Sequence, residues 1–479
     1  MLHIPALRLG KPYTSLEKTT LVHHVTGKPV AEVSQVNGGL IARDLNKVAA
    51  ARRELQAIPI QSLLDMCREA ADHFTSGTLP CGESAQTFDD YVRSVSATTG
   101  SPLVFCRRNA AKVEYVLRNM ETVLDGLTRG LDLSVLDAGH GVQDGRTQCF
   151  LATTTAFGAV LPSNSPGVHS LWVPAIALKI PLVLKPGREE PWTPYRLLQA
   201  FQKAGFPVAA LGFYPTDHAG AAEILRGCGR SMLFGDSSTT DRYRNDPRVE
   251  LHGPGFSKIL LGADAADNWQ DHLDLIVESI AANGGRSCIN ASAIWTPARG
   301  KELAEALADR LAKVKARPWD DPQAELAAFA NPDMAERISG MVDNLLRTPG
   351  ARDLTEARRG GSRLVKNGRV AWLLPTIVSC EAYQHPLANQ EFLFPFASVI
   401  ECPQGEMLKH IGPSLVVTAL TEDEEFARAL LDSPHVERLN LGPVPTTRLS
   451  WDQPHEGNLF THLYRQRAFQ QAPLHAAVV

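Results

Sequence analysis

One cysteine stands among small and polar residues in the stretch ANGGRSCINAS, residues 281–291. Cys288 follows the pair Gly284-Gly285, whose backbone freedom allows the N–H of Cys288 to point at a group bonded to its sulfur. A thiolate placed in this way is a nucleophile, and the N–H would stabilise the oxyanion formed when sulfur adds to a carbonyl. A loop cysteine without function explains the same residues equally well, so the local sequence leaves both interpretations open.

Three other side chains could assist such a nucleophile, and each also has an ordinary structural explanation. Asn164, in the turn LPSNSPG, could donate an amide N–H to an oxyanion or cap a helix. Lys185, which ends the run LVLK, could contact a phosphate or a ribose hydroxyl, or be a solvated strand end. Glu391, in NQEFLFPF, could bind a ribose or be an edge charge. None of the three determines a function in isolation.

The elements around Asn164 and Lys185 are indicated by alternating apolar and amphipathic stretches. In chain order they are a strand in 156–164, a helix in 169–178, a strand in 179–186, a helix in 193–205 and a strand in 208–215. This order predicts βαβ units and a parallel sheet covered on both faces. Ligands of such sheets bind beyond the carboxyl ends of the strands, so residues 162–164 and 185–188 are expected to form the floor of a cofactor site.

A second α/β region is predicted after Glu250. Helices are expected at 271–285, 301–314 and 422–431, and strands at 369–378, 395–402 and 415–420. Further helices are expected upstream at 46–76 and 109–131, and the Pro, Gly and Arg content of 347–368 predicts an exposed connection. With 479 residues the chain is too long for one ordinary core, so two α/β domains with a cleft between them are predicted.

Composition excludes several function classes. A net charge of −4 without a basic block argues against nucleic acid as a partner. No apolar stretch has the roughly 18 to 20 residues of a membrane span, and no secretory signal is visible at the N-terminus. The eight cysteines are scattered without a CxxC pair, which argues against a disulfide framework or a metal site and predicts a cytoplasmic protein.

Taken in order, these segments resemble the aldehyde dehydrogenase superfamily. AFGAVLPSNSPGVHSLWVPAIALKIPLVLKPGREEPWTPYRLLQAFQKAGFP is similar to the strand, PWN-type turn, helix, VLKP strand and helix of that family. NGGRSCINAS is similar to its N-x-G-x-x-C nucleophile loop, and LLPTIV, NQEFLFPF and LVVTALTEDEEFARAL are similar to later segments. The resemblance implies a Rossmann-type cofactor-binding domain, 1–255, and a catalytic α/β domain, 256–440. It also implies an oligomerisation hairpin within 132–155, a C-terminal segment, 441–479, that returns to the cofactor domain or the oligomer interface, and a homodimer or homotetramer.

By this resemblance Cys288 is the nucleophile, and Asn164 with the Cys288 N–H forms the oxyanion hole. Lys185 and Glu391 would hold the ribose hydroxyls of NAD or NADP, and the turn residues Pro162 and Ser163 would also contact this cofactor. The implied reaction is attack of the Cys288 thiolate on an aldehyde, hydride transfer to nicotinamide, and release of the acyl group from the resulting thioester.

The cofactor region departs from the family pattern. The F-T-G-S-T-x-x-G turn is represented by LFGDSSTTDR, in which Ser237 can serve as a pyrophosphate contact. Asp236 and Asp241 fall where glycines are expected, and an acid beside a pyrophosphate is unfavourable unless it points away. Arg188 lies three residues after Lys185, where relatives that prefer NAD often carry Glu, so NADP is weakly favoured.

The residue that would activate water is left open. In VELHGPGFSK, which stands where the family has E-L-G-G-K, either Glu250 or His252 takes the place of the general base. The C-terminal P-F-G-G-x-K-x-S-G stretch of the family is absent, and no role is predicted for residues 446–467. Two alternatives therefore remain beside an aldehyde dehydrogenase. One is an acyl-CoA reductase or CoA-acylating relative that uses CoA as the acyl acceptor, and the other is a non-catalytic cofactor-binding or scaffold relative.

Overall fold

The computed structural model describes residues 1–472. The first 152 residues form small sheets, a group of helices and two edge strands, β2 and β3, of the first large sheet. The strands are β1 (Leu2–Ile4), β2 (Ala6–Arg8), β3 (Lys11–Tyr13), β4 (Lys18–Val22), β5 (Pro29–Ser34), β6 (Leu79–Cys81), β7 (Ser84–Gln86), β8 (His140–Gln143) and β9 (Arg146–Ala152). The helices are α1 (Gly38–Leu45), α2 (Val48–Gln56), α3 (Ile60–Ser76), α4 (Phe88–Thr99), α5 (Leu103–Arg118), α6 (Met120–Thr128) and α7 (Val135–Ala138).

Residues 153–256 contain the parallel strands of the first large sheet, the last of which in the chain is β14. Its elements are β10 (Phe157–Val160), α8 (His169–Trp172), α9 (Pro174–Ala177), β11 (Leu182–Lys185), α10 (Trp192–Lys203), β12 (Leu211–Phe213), α11 (His218–Gly227), β13 (Arg230–Phe234), α12 (Ser237–Thr240) and β14 (Val249–His252). The strand order is β14-β13-β10-β11-β12-β2-β3, with β10 to β14 parallel and β2 antiparallel to β12. Its apolar strands and the helices packed on them form the largest core cluster.

Residues 257–441 build a second seven-stranded sheet, and the chain then returns to the first region. The elements are β15 (Lys258–Leu261), α13 (Leu273–Ala281), β16 (Ala293–Thr296), α14 (Gly300–Leu311), α15 (Pro332–Leu346), β17 (Ala351–Asp353), α16 (Glu356–Arg359), β18 (Leu364–Asn367), β19 (Val370–Leu373), β20 (Thr376–Cys380), β21 (Phe396–Glu401), α17 (Gln404–His410), β22 (Ser414–Leu420), α18 (Glu424–Leu431), β23 (Val436–Leu441), α19 (Leu459–Leu463) and β24 (Tyr464–Gln466). The strand order is β17-β20-β21-β16-β15-β22-β23. The predicted α/β fold with two sheets and a cleft is confirmed.

Prolines account for most differences between predicted and observed elements. The predicted helix 46–76 is divided into α2 and α3 because Pro59 cannot continue α2 and instead caps α3. The predicted strand 369–378 is divided at Pro375: β19 pairs with β18, whereas β20 belongs to the second sheet. The predicted helix 169–178 consists of two short helices, with Pro174 at the start of the second.

Most of the segment 347–368 is exposed, as predicted, but it is not an irregular connection. It contains β17, α16 and β18, and two of its arginines, Arg359 and Arg363, are buried. The Asp353 carboxylate lies 2.7 Å from Arg359 and 3.2 Å from Arg363, and all three side chains are almost completely buried. The arginine content predicted exposure for the whole segment, but Arg359 and Arg363 are held in the interior by Asp353.

The C-terminal segment packs against the first 152 residues. Strand β24 pairs antiparallel with β9, the outer partner of which is β8, so residues 132–155 contain a hairpin whose β8 edge is open within the described chain. Asn458 donates its side-chain N–H to the Leu127 carbonyl of α6 at 2.9 Å and caps α19. Within residues 1–472, no helix is long and apolar enough to cross a membrane.

Candidate active site

A cavity of about 480 Å³ lies between the loops that follow β10, β13 and β14 and the loop that carries Cys288. Of the residues predicted for the site, Pro162, Ser163, Asn164, His252, Cys288 and Glu391 line it. Lys185, Arg188, Ser237 and Glu250 do not. The structure therefore brings the predicted nucleophile, the amide and one acid together in one concave place, which is the usual form of a small-molecule site.

The loop that carries Cys288 is held rigidly. Gly285 has a φ of +66°, and a Cβ at this position would lie 2.4 Å from the backbone nitrogen of Pro395, so only glycine fits between the loop and the chain after Glu391. Asn290 accepts the Ser287 N–H at 2.9 Å. Behind the nucleophile, Ser257 donates its hydroxyl to the Cys288 carbonyl at 2.8 Å. The position of the sulfur is thus determined by contacts from several elements.

Arg286 anchors the same loop from inside the protein. Its guanidinium donates to the carbonyls of Ala327 and Ala328 at 3.2 and 2.8 Å and lies 4.5 Å from the centre of the Phe329 ring. Burial lowers the pKa of Arg286 to about 10. This side chain points into the interior, and only Ser287 separates it from Cys288, so it positions the Cys288 loop.

Cys288 is the one half-buried cysteine in the chain, because the other seven are buried. Burial, together with the negative charges of Glu456 and Glu391, raises the pKa of the Cys288 thiol well above its ordinary value. The backbone N–H groups of Cys288 and Ile289 favour the thiolate but do not outweigh these effects. In the free protein Cys288 is therefore a protonated thiol at neutral pH, and it must lose a proton before it can act as a nucleophile.

Asn164 is joined directly to the nucleophile loop. Its side-chain Nδ2 donates to the Arg286 carbonyl at 3.1 Å. An amide nitrogen carries two N–H groups, so a second donor remains for a ligand beside Cys288. The alternative that Asn164 only caps a helix does not hold, because Ser165 takes the cap position of the helical turn that follows, Pro166–Val168, and Asn164 bonds across to another loop.

Glu391 accepts the backbone N–H of Phe256 at 2.6 Å, and the Gly255 N–H also bonds to its carboxylate. Burial raises the pKa of Glu391 to about 8, although these N–H groups and the nearby Lys258 favour its charged form. Gly255 itself touches the nucleophile, since a Cβ there would lie 2.1 Å from the Cys288 carbonyl oxygen. Glu391 thus links the chain after β14 to the wall of the cavity.

The residues predicted for the distal half of a dinucleotide lie outside the cavity but next to it. Lys185 ends β11, and burial lowers its pKa, whereas Glu189 has the opposite effect. Ser163 accepts the Glu189 N–H at 3.1 Å, so the turn after β10 and the loop after β11 are bonded to each other. Arg188 is exposed on this loop. These side chains offer ammonium, guanidinium, hydroxyl and carboxylate groups. Such groups bind ribose hydroxyls and phosphates, so the residues present fit a nicotinamide dinucleotide.

Asp236 lies on the cavity wall, where a pyrophosphate contact was predicted nearby at Ser237. Its carboxylate caps α12: it accepts the Thr239 N–H at 3.0 Å and the Ser238 hydroxyl at 2.7 Å. The Ser238 and Thr239 hydrogen bonds outweigh burial and lower the pKa of Asp236, so the carboxylate is ionised. The N-terminus of α12 is therefore already occupied by a negative charge, the carboxylate of Asp236.

The two candidates for the general base occupy one face of β14, and only His252 reaches the cavity. His252 is 5% exposed and stacks on Phe234 with ring centroids 4.5 Å apart. Its Nε2 lies 3.0 Å from Glu250 Oε1, and its Nδ1 forms an ion pair with Glu456. Burial alone would lower the pKa of His252, but the Glu456 and Glu250 carboxylates raise it to about 10. His252 is therefore an imidazolium with both nitrogens occupied, and Glu250 faces a separate cavity of about 50 Å³.

Sequence reasoning missed the contribution of the C-terminal segment. His455 lines both cavities, and Glu456 forms the ion pair with His252. Arg438, on β23, borders the smaller cavity and donates to Nδ1 of His455 at 3.0 Å. The density of His, Arg and aromatic residues in 446–467 was the available signal, but nothing in the local pattern indicates that this segment closes a site formed elsewhere. Within residues 1–472, no group of three or more His, Cys, Asp or Glu side chains is placed to hold a metal ion.

Individual relatives are distant and partly matched. The chain is 25% identical over 263 residues to an N-succinylglutamate 5-semialdehyde dehydrogenase of Vibrio cholerae serotype O1 (strain M66-2), covering 52% of this chain and 51% of that protein. It is 23% identical over 251 residues to an acylating methylmalonate-semialdehyde/malonate-semialdehyde dehydrogenase, mitochondrial, of Bos taurus, covering 50% and 46%. The match thus spans about half the length of these relatives.

Similarity to solved structures covers nearly the whole fold. A 3,6-anhydro-L-galactose dehydrogenase in complex with NAP superposes with a TM-score of 0.77 at 14% identity, covering 98% of this chain and 99% of that one. At this identity the likeness is one of fold. The sequence also matches the Aldehyde dehydrogenase family over residues 13–411, which is most of its length. This protein belongs to the aldehyde dehydrogenase family.

Proposed function

We propose that this protein is an NAD(P)-dependent oxidoreductase that interconverts an aldehyde and an acyl group through a thioester on Cys288. The observation that carries the proposal is the meeting of Cys288, the Asn164 amide and Glu391 in one cavity. Family membership and the fold of dehydrogenases support it. A non-catalytic scaffold would have no need for a half-buried thiol beside an amide donor that is itself held on the nucleophile loop.

The chain's residues would hold the cofactor along the two loops that follow β10 and β11. Pro162, Ser163 and Glu391 would contact the nicotinamide half, and Lys185 and Ser237 the more distant half. Exposed Arg188 would pair with a 2′-phosphate, and we infer a weak preference for NADP on that basis. Nicotinamide, when bound, supplies a hydride acceptor or donor.

In the aldehyde-to-acyl direction, Cys288 first loses its proton to solvent, and Sγ then adds to the carbonyl carbon as the π electrons move to oxygen. The Cys288 N–H and the second N–H of the Asn164 amide would stabilise the oxyanion, at about 2.7–4 kcal/mol for each donor of this kind. Loss of hydride from this adduct leaves an acyl group on Sγ. Release of that group requires water or another thiol as the acceptor.

A CoA-type thiol is the second candidate acceptor, and one observation favours it over water. The residue on the cavity wall at the base position is His252, which is cationic and bonded to carboxylates at both nitrogens. An imidazolium has no lone pair with which to take a proton from water. Lys112, on α5, adds a basic group to the cavity wall. One relative is named as an acylating semialdehyde dehydrogenase.

The acceptor can be determined by measuring reduced nicotinamide formed from a panel of aldehydes with NAD or NADP, with and without CoA. We expect turnover that depends on CoA, because His252, the residue at the base position, is cationic and cannot take a proton from water. Acyl-CoA and carboxylate products are separated by chromatography. Equal rates with and without CoA, with carboxylate as the only product, would reject the thiol acceptor. No turnover with either NAD or NADP would reject the proposed function.

Asp236 is expected to weaken cofactor binding. The Asp236→Ser variant removes the charge and keeps a residue that caps helices well, so α12 should remain folded. We expect the Kd of NADPH, measured by fluorescence titration, to fall several-fold, since two like charges near a surface repel by about 1–4 kcal/mol at 4 Å. Asp241→Ser is the matched control, because Asp241 is exposed outside the cavity and pairs with Arg244. An unchanged Kd for Asp236→Ser would mean that phosphate binds elsewhere.

We also infer a homodimer or homotetramer in the cytoplasm, assembled through the β8–β9 hairpin. Support for the assembly comes from the open edge of β8 and from Val142 on it, which is 71% exposed. Support for the compartment comes from the eight cysteines, all of which are free thiols.

A further inference from the structure

Two imidazoles line the Cys288 cavity, and they differ in what their nitrogens can offer a ligand. His252 has a carboxylate at each nitrogen, from Glu250 and Glu456. His455 is bonded within the described chain through Nδ1, which receives an N–H from Arg438 at 3.0 Å. Of the two, His455 is therefore the one with a nitrogen available to a molecule in the cavity.

The partner of His455 determines its tautomer. A guanidinium can only donate hydrogen bonds, so Nδ1 of His455 is an acceptor and the ring proton lies on Nε2. Arg438 is itself held in place, because the same Nη1 also donates to the Pro454 carbonyl at 3.1 Å. Burial and the nearby charges of Arg438 and His252 lower the pKa of His455 to about 3. The ring is neutral at physiological pH, and it carries an N–H donor at Nε2.

His455 lies at the boundary between the two cavities. Arg438 borders the smaller cavity and does not line the larger one, whereas His455 borders both. Arg438 on β23 bonds to Nδ1, so Nε2 is the ring nitrogen left to serve a molecule in the cavity that holds Cys288.

We propose that His455 is a further catalytic residue, whose Nε2–H donates a hydrogen bond to the substrate oxygen that becomes negative when Cys288 Sγ adds to the carbonyl. The carbon–sulfur bond forms as the carbonyl π electrons move to oxygen, and His455 keeps its proton throughout. It is a third donor beside the Asn164 amide and the Cys288 N–H. A neutral donor suits this task, because a water-excluded site strengthens its hydrogen bond to an anion. This role rests on the proposed function.

The test compares two substitutions that differ in the donor. His455→Leu removes it, and kcat is expected to fall on the order of 10²-fold, the typical cost of one lost oxyanion donor. His455→Gln has an amide N–H near the place of Nε2, and we expect it to recover most of the lost rate. His462→Gln is the matched control, because His462 comes from the same segment, bonds to the Ser231 carbonyl and does not line the Cys288 cavity. Circular dichroism establishes that each variant is folded.

Two further measurements show whether His455 acts as a hydrogen-bond donor, as a base or only as a structural residue. The charged groups around His455 are Arg438 and His252, with Glu456 as the next residue in the chain and Glu250 paired with His252. Nitrogen-15 NMR of the free protein should show a proton on Nε2 and none on Nδ1 from about pH 5 to 8, the range in which an ordinary histidine titrates. Wild type and His455→Gln should share one pH–rate profile. A proton on Nδ1, or full activity of His455→Leu in the presence of wild-type turnover, would overturn the role of His455. Absence of wild-type turnover would instead overturn the proposed function.

Discussion

Replacing Cys288 by alanine is expected to lower the rate of aldehyde-dependent NAD(P) reduction by a factor on the order of 10⁴ or more, since removal of a nucleophile abolishes the covalent route. The rate is measured from the absorbance of the reduced nicotinamide. The same substitution should leave cofactor affinity nearly unchanged, because Asn164, Glu391 and the loop after β11 remain in place. Hydride transfer that persists in Cys288→Ala would reject the thioester mechanism.

A matched cysteine control distinguishes chemistry from packing. Cys402 is buried after β21 and bonds to the Pro403 carbonyl, outside the cavity. Cys402→Ala should keep full activity and cost only the stability lost with a small buried group. Alkylation followed by mass spectrometry offers a second readout: Cys288 is the half-buried cysteine and should react first. Because its thiol pKa is raised, the alkylation rate should increase steeply as pH rises above neutral.

Replacing His252 by glutamine is expected to lower the free energy of unfolding at neutral pH by about 3–5 kcal/mol, the typical cost of removing one partner from a buried ion pair. The substitution leaves the carboxylates of Glu250 and Glu456 near each other without the cation that lies between them. Chemical denaturation measures the loss. In Glu456→Gln/His252→Gln the cost should be smaller than the sum of the single costs, because the two side chains interact directly.

The contribution of His252 also has a defined pH dependence. Its folded-state pKa of about 10 lies above the ordinary value of 6.5, so folding binds its proton more tightly. This stabilisation is fully present below about pH 6.5 and is lost as pH rises through about 10. The difference in unfolding free energy between wild type and His252→Gln should shrink over this interval. A difference that does not change with pH would mean that His252 is neutral in the folded protein.

Local sequence was sufficient to predict the parts of the site that depend on neighbours along the chain. The turn around Asn164 and the loop around Cys288 follow recognisable strand and helix signals, and both lie on the cavity. Glu391, in the stretch NQEFLFPF, also lies there. Element boundaries were less predictable where Pro59 and Pro375 interrupt apolar periodicity, because one proline ends an element that the surrounding pattern would continue.

Polar contacts between distant segments were not predictable. The choice between Glu250 and His252 stayed open in the sequence because alternate residues of one strand share a face, and no local signal indicates which of them reaches a ligand. The same applies to Arg359 and Arg363, which the sequence suggested were exposed and which Asp353 holds in the interior.

The sequence by itself determined the family and the two-sheet architecture and predicted Cys288 as the nucleophile, because these depend on short-range periodicity and on motifs a few residues long. Only the tertiary structure decided the charge state and the surroundings of that nucleophile. The C-terminal segment returns to the cavity, places Glu456 on His252 and sets His455 beside Arg438. Such pairs lie far apart in sequence, and their pKa values depend on burial and on neighbouring charges that exist only once the chain has folded.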